Sequence, residues 1–392
     1  MKKFSAILLT LWILISLSNV GASAAETKNA NIKTVMNDLF VHLAALKKFI
    51  ISEETFNDPK NELEITTHLQ ELEKAAKQTA HVPLLKQENF KFSQQVLKTQ
   101  ISEASRIFRL GNKPYARWMI NSTISVCTSC HSQLPTKSRS YKEFENFKIY
   151  TSDFDRAEFL FATRRFEDAF KIYHDLIINF PKSTDRVDQL ETSLERQVAY
   201  FSRIKRNADE AITELGGYSK NKKLPSYLLQ NLSAWILQFK DWKRQGLVDP
   251  HTISEADLIK LAEKRLRPGT AVFEASNPKL VSYLWVSGIL YEYLLTHDRS
   301  KTTPQILYWL SVCDRALSHT FFYSLANLYL RECITAFPAD PFAKKCFKEY
   351  NEEIVLGYSG SSGTHLPSEV KTDLENLKKW IDSKGTVQLP QN

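Results

Sequence analysis

Cys127-Thr128-Ser129-Cys130-His131 sets two thiols three positions apart, with an imidazole directly after the second. Such thiols can form thioethers with the two vinyl groups of one haem, and the adjacent imidazole can meet the iron from the same side. On a helix, positions i, i+3 and i+4 share a face, so the spacing suits a helical attachment site. Given this chain's own Cys and His frequencies, the pattern would arise by chance in roughly one in 700 sequences of this length. Two other chemistries use paired thiols: a thioredoxin-like redox pair and half of a zinc site. The first lacks its βαβ context and the second lacks another ligand pair nearby. The motif therefore predicts one covalent haem c, anchored by Cys127 and Cys130, with His131 as proximal iron ligand.

Haem attachment at this motif takes place in the bacterial periplasm, and the chain begins accordingly. Lys2 and Lys3 precede an apolar run from Phe4 to Leu17, followed by Gly21-Ala22-Ser23-Ala24-Ala25. A charged start, a short apolar stretch and small residues at a cleavage site predict a signal peptide over 1–25. The alternative is an uncleaved N-terminal anchor. No later stretch approaches 18 uninterrupted apolar residues, so no membrane span is expected after cleavage. The expected location is the periplasm of a Gram-negative bacterium.

The chain has 52 basic and 44 acidic residues, a net charge of +8, or +6 once Lys2 and Lys3 leave with the leader. It lacks the Lys/Arg clusters of a nucleic-acid binder, so no nucleic acid is expected as a partner. Basic residues do gather around the motif: Arg106, Arg109, Lys113, Arg117, Lys137, Arg139, Lys142 and Lys148, against Glu143 and Glu145. They could form a collar that pairs with haem propionates or steers an acidic redox partner; a plain solvated surface is the alternative.

Three further cysteines are Cys313, Cys333 and Cys346. Cys333 lies five residues before Pro338, and Cys346 five after Pro341. If Pro338 to Pro341 turns a helical hairpin, the two thiols stand at matching heights and can form a disulfide. Cys313 would remain a buried thiol.

The elements that must position the motif read as helical throughout, because glycine is scarce (11 in 392) and hairpin turn signals are missing. Four amphipathic segments fill 29–135. Asn31 to Ser52 carries Ile32, Val35, Met36, Leu39, Leu43, Leu46, Phe49 and Ile50 at helical spacing. The second runs from about Asn61 to Thr79. The third runs from about Phe90 to Leu110 and stops at Gly111-Asn112. The fourth opens at Pro114 and runs into the motif. Short links between four such helices predict an up-and-down four-helix bundle.

A bundle with its CxxCH near the end of the last helix resembles the class II cytochromes, the cytochrome c′ and c556 group. The resemblance covers roughly a quarter of the chain and rests on motif placement and topology. It implies His131 as proximal ligand and a residue early in helix one at the sixth position, which by position is Met36. Met36 could equally be core filling; the other readings are a vacant or Phe40-shielded site, and His42. His/Met ligation would favour electron transfer, and a vacant site gas binding. The chain departs from the family at Ile32, where an arginine is frequent and Lys33 is adjacent, and at Ser132-Gln133-Leu134-Pro135, where a basic residue often follows the motif.

After a basic linker over 136–149, a second helical region spans 150–392. Ala157, Phe166, Ala169, Tyr173 and Pro181 fall at the small, aromatic, small, aromatic and terminal-proline positions of a tetratricopeptide repeat, with Arg164 at the usual mid-repeat glycine. An ordinary helical hairpin is the alternative. A weaker match spans about Thr303 to Pro338, around Ala326 and Leu330. Between them helices are expected over about Thr184 to Leu215, Ser226 to Arg244, Ser254 to Arg265 and Pro278 to Thr296, broken at Gly216-Gly217 and Arg267-Pro268-Gly269. One from Pro341 to Ile354, a Gly/Ser loop over 357–363 and a last helix complete the chain.

The fold class expected is thus all-α. The leading function is an exported monohaem electron carrier whose repeat domain docks a partner protein. A haem-bearing scaffold or redox/gas sensor is the alternative. Peroxidase-like catalysis ranks below both, since no distal His/Arg pair stands out.

Overall fold

A computed structural model describes residues 31–135, 152–181, 186–246, 248–266, 277–297, 299–318 and 324–386. The expected leader, the linker over 136–149 and the break at Arg267-Pro268-Gly269 lie outside these residues. The described chain is all-α, with one two-residue strand pair, Ser359–Gly360 against Gly363–Thr364.

The first region contains α1 (Ile32–Ile50), α2 (Glu53–Asn57), α3 (Glu62–Gln78), α4 (Lys91–Arg109) and α5 (Lys113–His131). Local chemistry fixes their ends. The Asn31 side chain accepts the Lys33 N–H at the start of α1, and Asn112 accepts that of Tyr115 at the start of α5, where Pro114 occupies the first turn. Gly111 takes a φ of 83°, which separates α4 from α5 at little steric cost. Helix α1 packs on α3, α3 on α4 and α4 on α5, and α5 returns to α1. Arg117 donates to the carbonyls of Ile50 and Ile51 at 2.8 and 3.1 Å, satisfying acceptors at the end of α1. Helix α2 was not anticipated: five residues are too few to show a period. Ser52 caps it and Phe56 plugs the core.

The second region contains α6 (Asp153–Ala162), α7 (Phe166–Ile178), α8 (Val187–Ala199), α9 (Ala208–Tyr218), α10 (Ser226–Gln245), α11 (Glu255–Arg265), α12 (Leu280–Thr296), α13 (Thr303–Ser318), α14 (Ala326–Ala336), α15 (Pro341–Gly357) and α16 (Ser368–Asp382). Most pack on the next in sequence, and α12 is buried on all sides among them. No described helix is long and apolar enough to cross a membrane.

Two expectations fail here. The helix expected over Thr184 to Leu215 is interrupted well before Gly216-Gly217. It widens into a π turn over Tyr200–Ile204 and breaks at Arg206, whose φ is 52°. The buried Arg203 guanidinium, donating to Ser287 Oγ at 2.6 Å and Leu284 O at 3.2 Å on α12, ties that turn in place. Asn207 then caps α9, which runs through both glycines. The Gly/Ser loop expected over 357–363 is instead the end of α15 and the tight strand pair.

Cys333 on α14 and Cys346 on α15 are joined, with Cα atoms 6.3 Å apart, and Cys313 is a buried thiol on α13. Beside it, Asp314 is buried and accepts the Leu325 N–H. Burial pushes its carboxyl up to about 6, against the pull of the Leu325 N–H and of Arg203. Because the folded value lies above the ordinary carboxylate value, the folded chain binds the proton more tightly. Stability should therefore fall as pH rises from about 4 to 6, by roughly 3 kcal/mol. We expect Asp314→Asn to remove that part of the slope. Urea midpoints of both proteins across this range check it; parallel curves would count against it.

Each region has its own apolar core, and they exchange one phenylalanine each. Phe159 of α6 enters the first core, its ring 5.7 Å from that of Phe40. Phe92 of α4 enters the second, edge-on to Tyr329 at 5.1 Å. The ion pairs Lys47–Asp155 and Lys91–Glu332, both at 2.5 Å, flank the exchange.

Candidate functional site

One face of α5 presents Thr123, Val126, Cys127, Cys130 and His131 over its last three turns, the i, i+3, i+4, i+7, i+8 pattern of a helical stripe. They line a cavity of about 320 Å³. Helix α1 forms another wall with Ile32, Met36, Leu39, Phe40 and Leu43. Helix α4 adds Ser93, Gln94, Leu97 and Ile101, and Leu84, Leu85 and Phe90 contribute from the α3–α4 connection. Cys127, Cys130, His131 and Met36, each singled out from sequence, thus border the same space. So does Phe40. His42 does not: its Nδ1 lies 3.1 Å from Nδ1 of His68. It is displaced from the cavity because it sits about 240° around α1 from Met36, at 100° per residue.

His131 Nδ1 lies 2.6 Å from the Ala162 carbonyl. A carbonyl only accepts, so Nδ1 donates; in the neutral ring Nε2 then carries the lone pair, the arrangement found in metal-bound histidines. Cys127 and Cys130 are half-buried free thiols, and burial in the apolar lining pushes both up to about 12. A redox pair needs a thiolate near neutral pH, so this environment does not favour thiol exchange. No cluster of three or more His, Cys, Asp or Glu that could hold a metal ion occurs among the described residues. Haem does not call for one, because its ring supplies four of the iron's ligands. The donor set and the mostly apolar lining therefore fit a haem.

Of the basic residues grouped around the motif in the sequence, the four that are described face away from the cavity. Arg106 pairs with Glu103, Arg109 with Glu73 and Lys113 with Glu62, while Arg117 caps α1. None of the four lines the cavity. Counting charge from Arg106 onward left out Glu103, one turn earlier on α4, and Glu62 and Glu73, which α3 supplies across the fold. Lys137, Arg139, Lys142, Lys148, Glu143 and Glu145 lie outside the described residues. Among the described residues, the cationic side chains that reach the lining are Lys33 and Arg164, and no carboxylate lines it.

No family model, curated protein or solved structure matches this chain. The site is therefore read from its own chemistry. Sequence reasoning missed the part of the lining formed by Ala162, Thr163 and Arg164 at the end of α6 and the start of the following turn. A signal existed: an arginine stands at the expected mid-repeat glycine. Nothing local said that this turn would reach a motif more than thirty residues away.

Proposed function

We propose that the chain is an exported monohaem c-type cytochrome of the c′/c556 kind, with the first region as a four-helix haem bundle and the second as a tetratricopeptide-like domain that docks a partner protein. The observation carrying this reading is the hydrogen bond from His131 Nδ1 to the Ala162 carbonyl in a cavity shared with Cys127, Cys130 and Met36. It prepares Nε2 to ligate iron, while the two thiols stand one turn apart to anchor the ring. When bound, the haem supplies one-electron chemistry. The chain's own part is to hold the imidazole in one tautomer, exclude water with Leu39, Phe40, Leu43, Leu72 and Leu97, and offer the Met36 thioether from the facing helix. The short apolar run and small-residue site at the start of the sequence support export to the periplasm. The partner we propose is a redox protein with an acidic docking face.

The absorption spectrum tests the sixth position. We expect a low-spin ferric form with a Met-to-iron charge-transfer band, lost in Met36→Ala with a fall in reduction potential. A high-spin ferrous form that binds CO readily would remove Met36 from the ligand set. It would favour the Phe40-shielded site and, with it, a haem-bearing sensor or scaffold.

A further inference from the structure

The turn between α6 and α7 carries a backbone anomaly that the repeat reading does not explain. Arg164 has a φ of 67°, the left-handed region in which a side chain is strained and glycine is at ease. A repeat would place glycine there. A strained residue persists where its side chain has a use, and the use is sought nearby. Two residues earlier, the Ala162 carbonyl meets His131 Nδ1, and Arg164 itself lines the cavity beside Cys130. Among the described residues, a guest with carboxylates would meet two cationic side chains, Lys33 and Arg164, and no carboxylate in the lining.

We infer that Arg164 binds a carboxylate of the haem, so that the second region supplies part of the haem site and the left-handed backbone is retained for the guanidinium. This rests on the cytochrome reading above. A guanidinium matches a carboxylate in a paired, two-bond geometry and remains charged at any physiological pH. It holds down the propionate's proton affinity and favours the reduced iron, whose net charge is lower by one.

The test uses the full, haem-loaded chain in three forms: wild type, Arg164→Gly and Arg164→Gln. Reduction potential is measured from pH 5 to 9 and thermal stability by circular dichroism. Glycine relieves the backbone, so Arg164→Gly should melt no lower than wild type. Its ferrous-to-ferric ratio at fixed ambient potential should drop about tenfold, or about 59 mV for one electron. The potential falls as pH rises through the propionate's titration, and that step should move to higher pH in both variants. Arg164→Gln separates charge from backbone: it should keep the strain yet show the same drop. If both variants keep the wild-type potential and pH profile with haem attached, Arg164 does not bind the propionate, and the cytochrome reading stands. If Arg164→Gly fails to load, Arg164→Gln decides by the same criterion. If wild type carries no covalent haem, the cytochrome reading itself falls.

Discussion

Replacing Cys127 and Cys130 together with serine is expected to abolish covalent haem, while either single replacement leaves attachment through one thioether. The two thiols lie on one helical face, flanking a single cavity with His131 in the next position. No other pair of free thiols occurs among the described residues: Cys333 and Cys346 are joined and Cys313 is buried in the other core. His131→Ala should behave differently, retaining thioethers but losing the proximal nitrogen, so that the ferric spectrum changes spin state. Haem staining after denaturing electrophoresis separates these outcomes. Covalent haem in the double variant would show that the motif is not the attachment site.

The second large effect is on stability. Phe159→Ala is expected to cost about 3–5 kcal/mol, the range for truncating a buried aromatic ring. Phe159 is 1% exposed, yet it belongs to α6 and fills the core of the other region beside Phe40. Its loss opens a void in one region and unfastens the helix that brings Ala162 to His131. Phe159→Leu, which keeps more of the volume, should cost less than about 2 kcal/mol. Guanidinium unfolding followed by far-ultraviolet circular dichroism and by haem absorbance measures both. The two signals should coincide in wild type and separate in Phe159→Ala as the regions lose their common transition. A change below about 1 kcal/mol would mean that the ring is not held as described.

Much of the first region was legible because its helices announce their own ends. Gly111, Asn112 and Pro114 end α4 and start α5 through φ, a side-chain acceptor and a fixed ring, all local properties. The stripe on α1 that carries Met36 and Phe40 was readable for the same reason, and both residues line the cavity with the motif. What was not legible depends on distant partners. The π turn at Tyr200–Ile204 follows from what Arg203 meets on α12, some eighty residues away. Gly216 and Gly217 stay helical because the break was already made at Arg206. Arg109 and Lys113, two of the basic residues near the motif, meet acidic partners on α3 that lie far off in the sequence. The contribution of α6 to the site was invisible, since no period in one segment records which cavity it will close.

The exchange of Phe92 and Phe159 also bears on portability. A haem-binding unit that could be cut out and moved would end in a finished, wettable surface. Here a fragment stopping at residue 135 would leave an open socket beside Phe40 and project Phe92 into water, with the His131 imidazole stripped of its carbonyl. Such a fragment would carry a new apolar patch, the kind of surface that drives self-association.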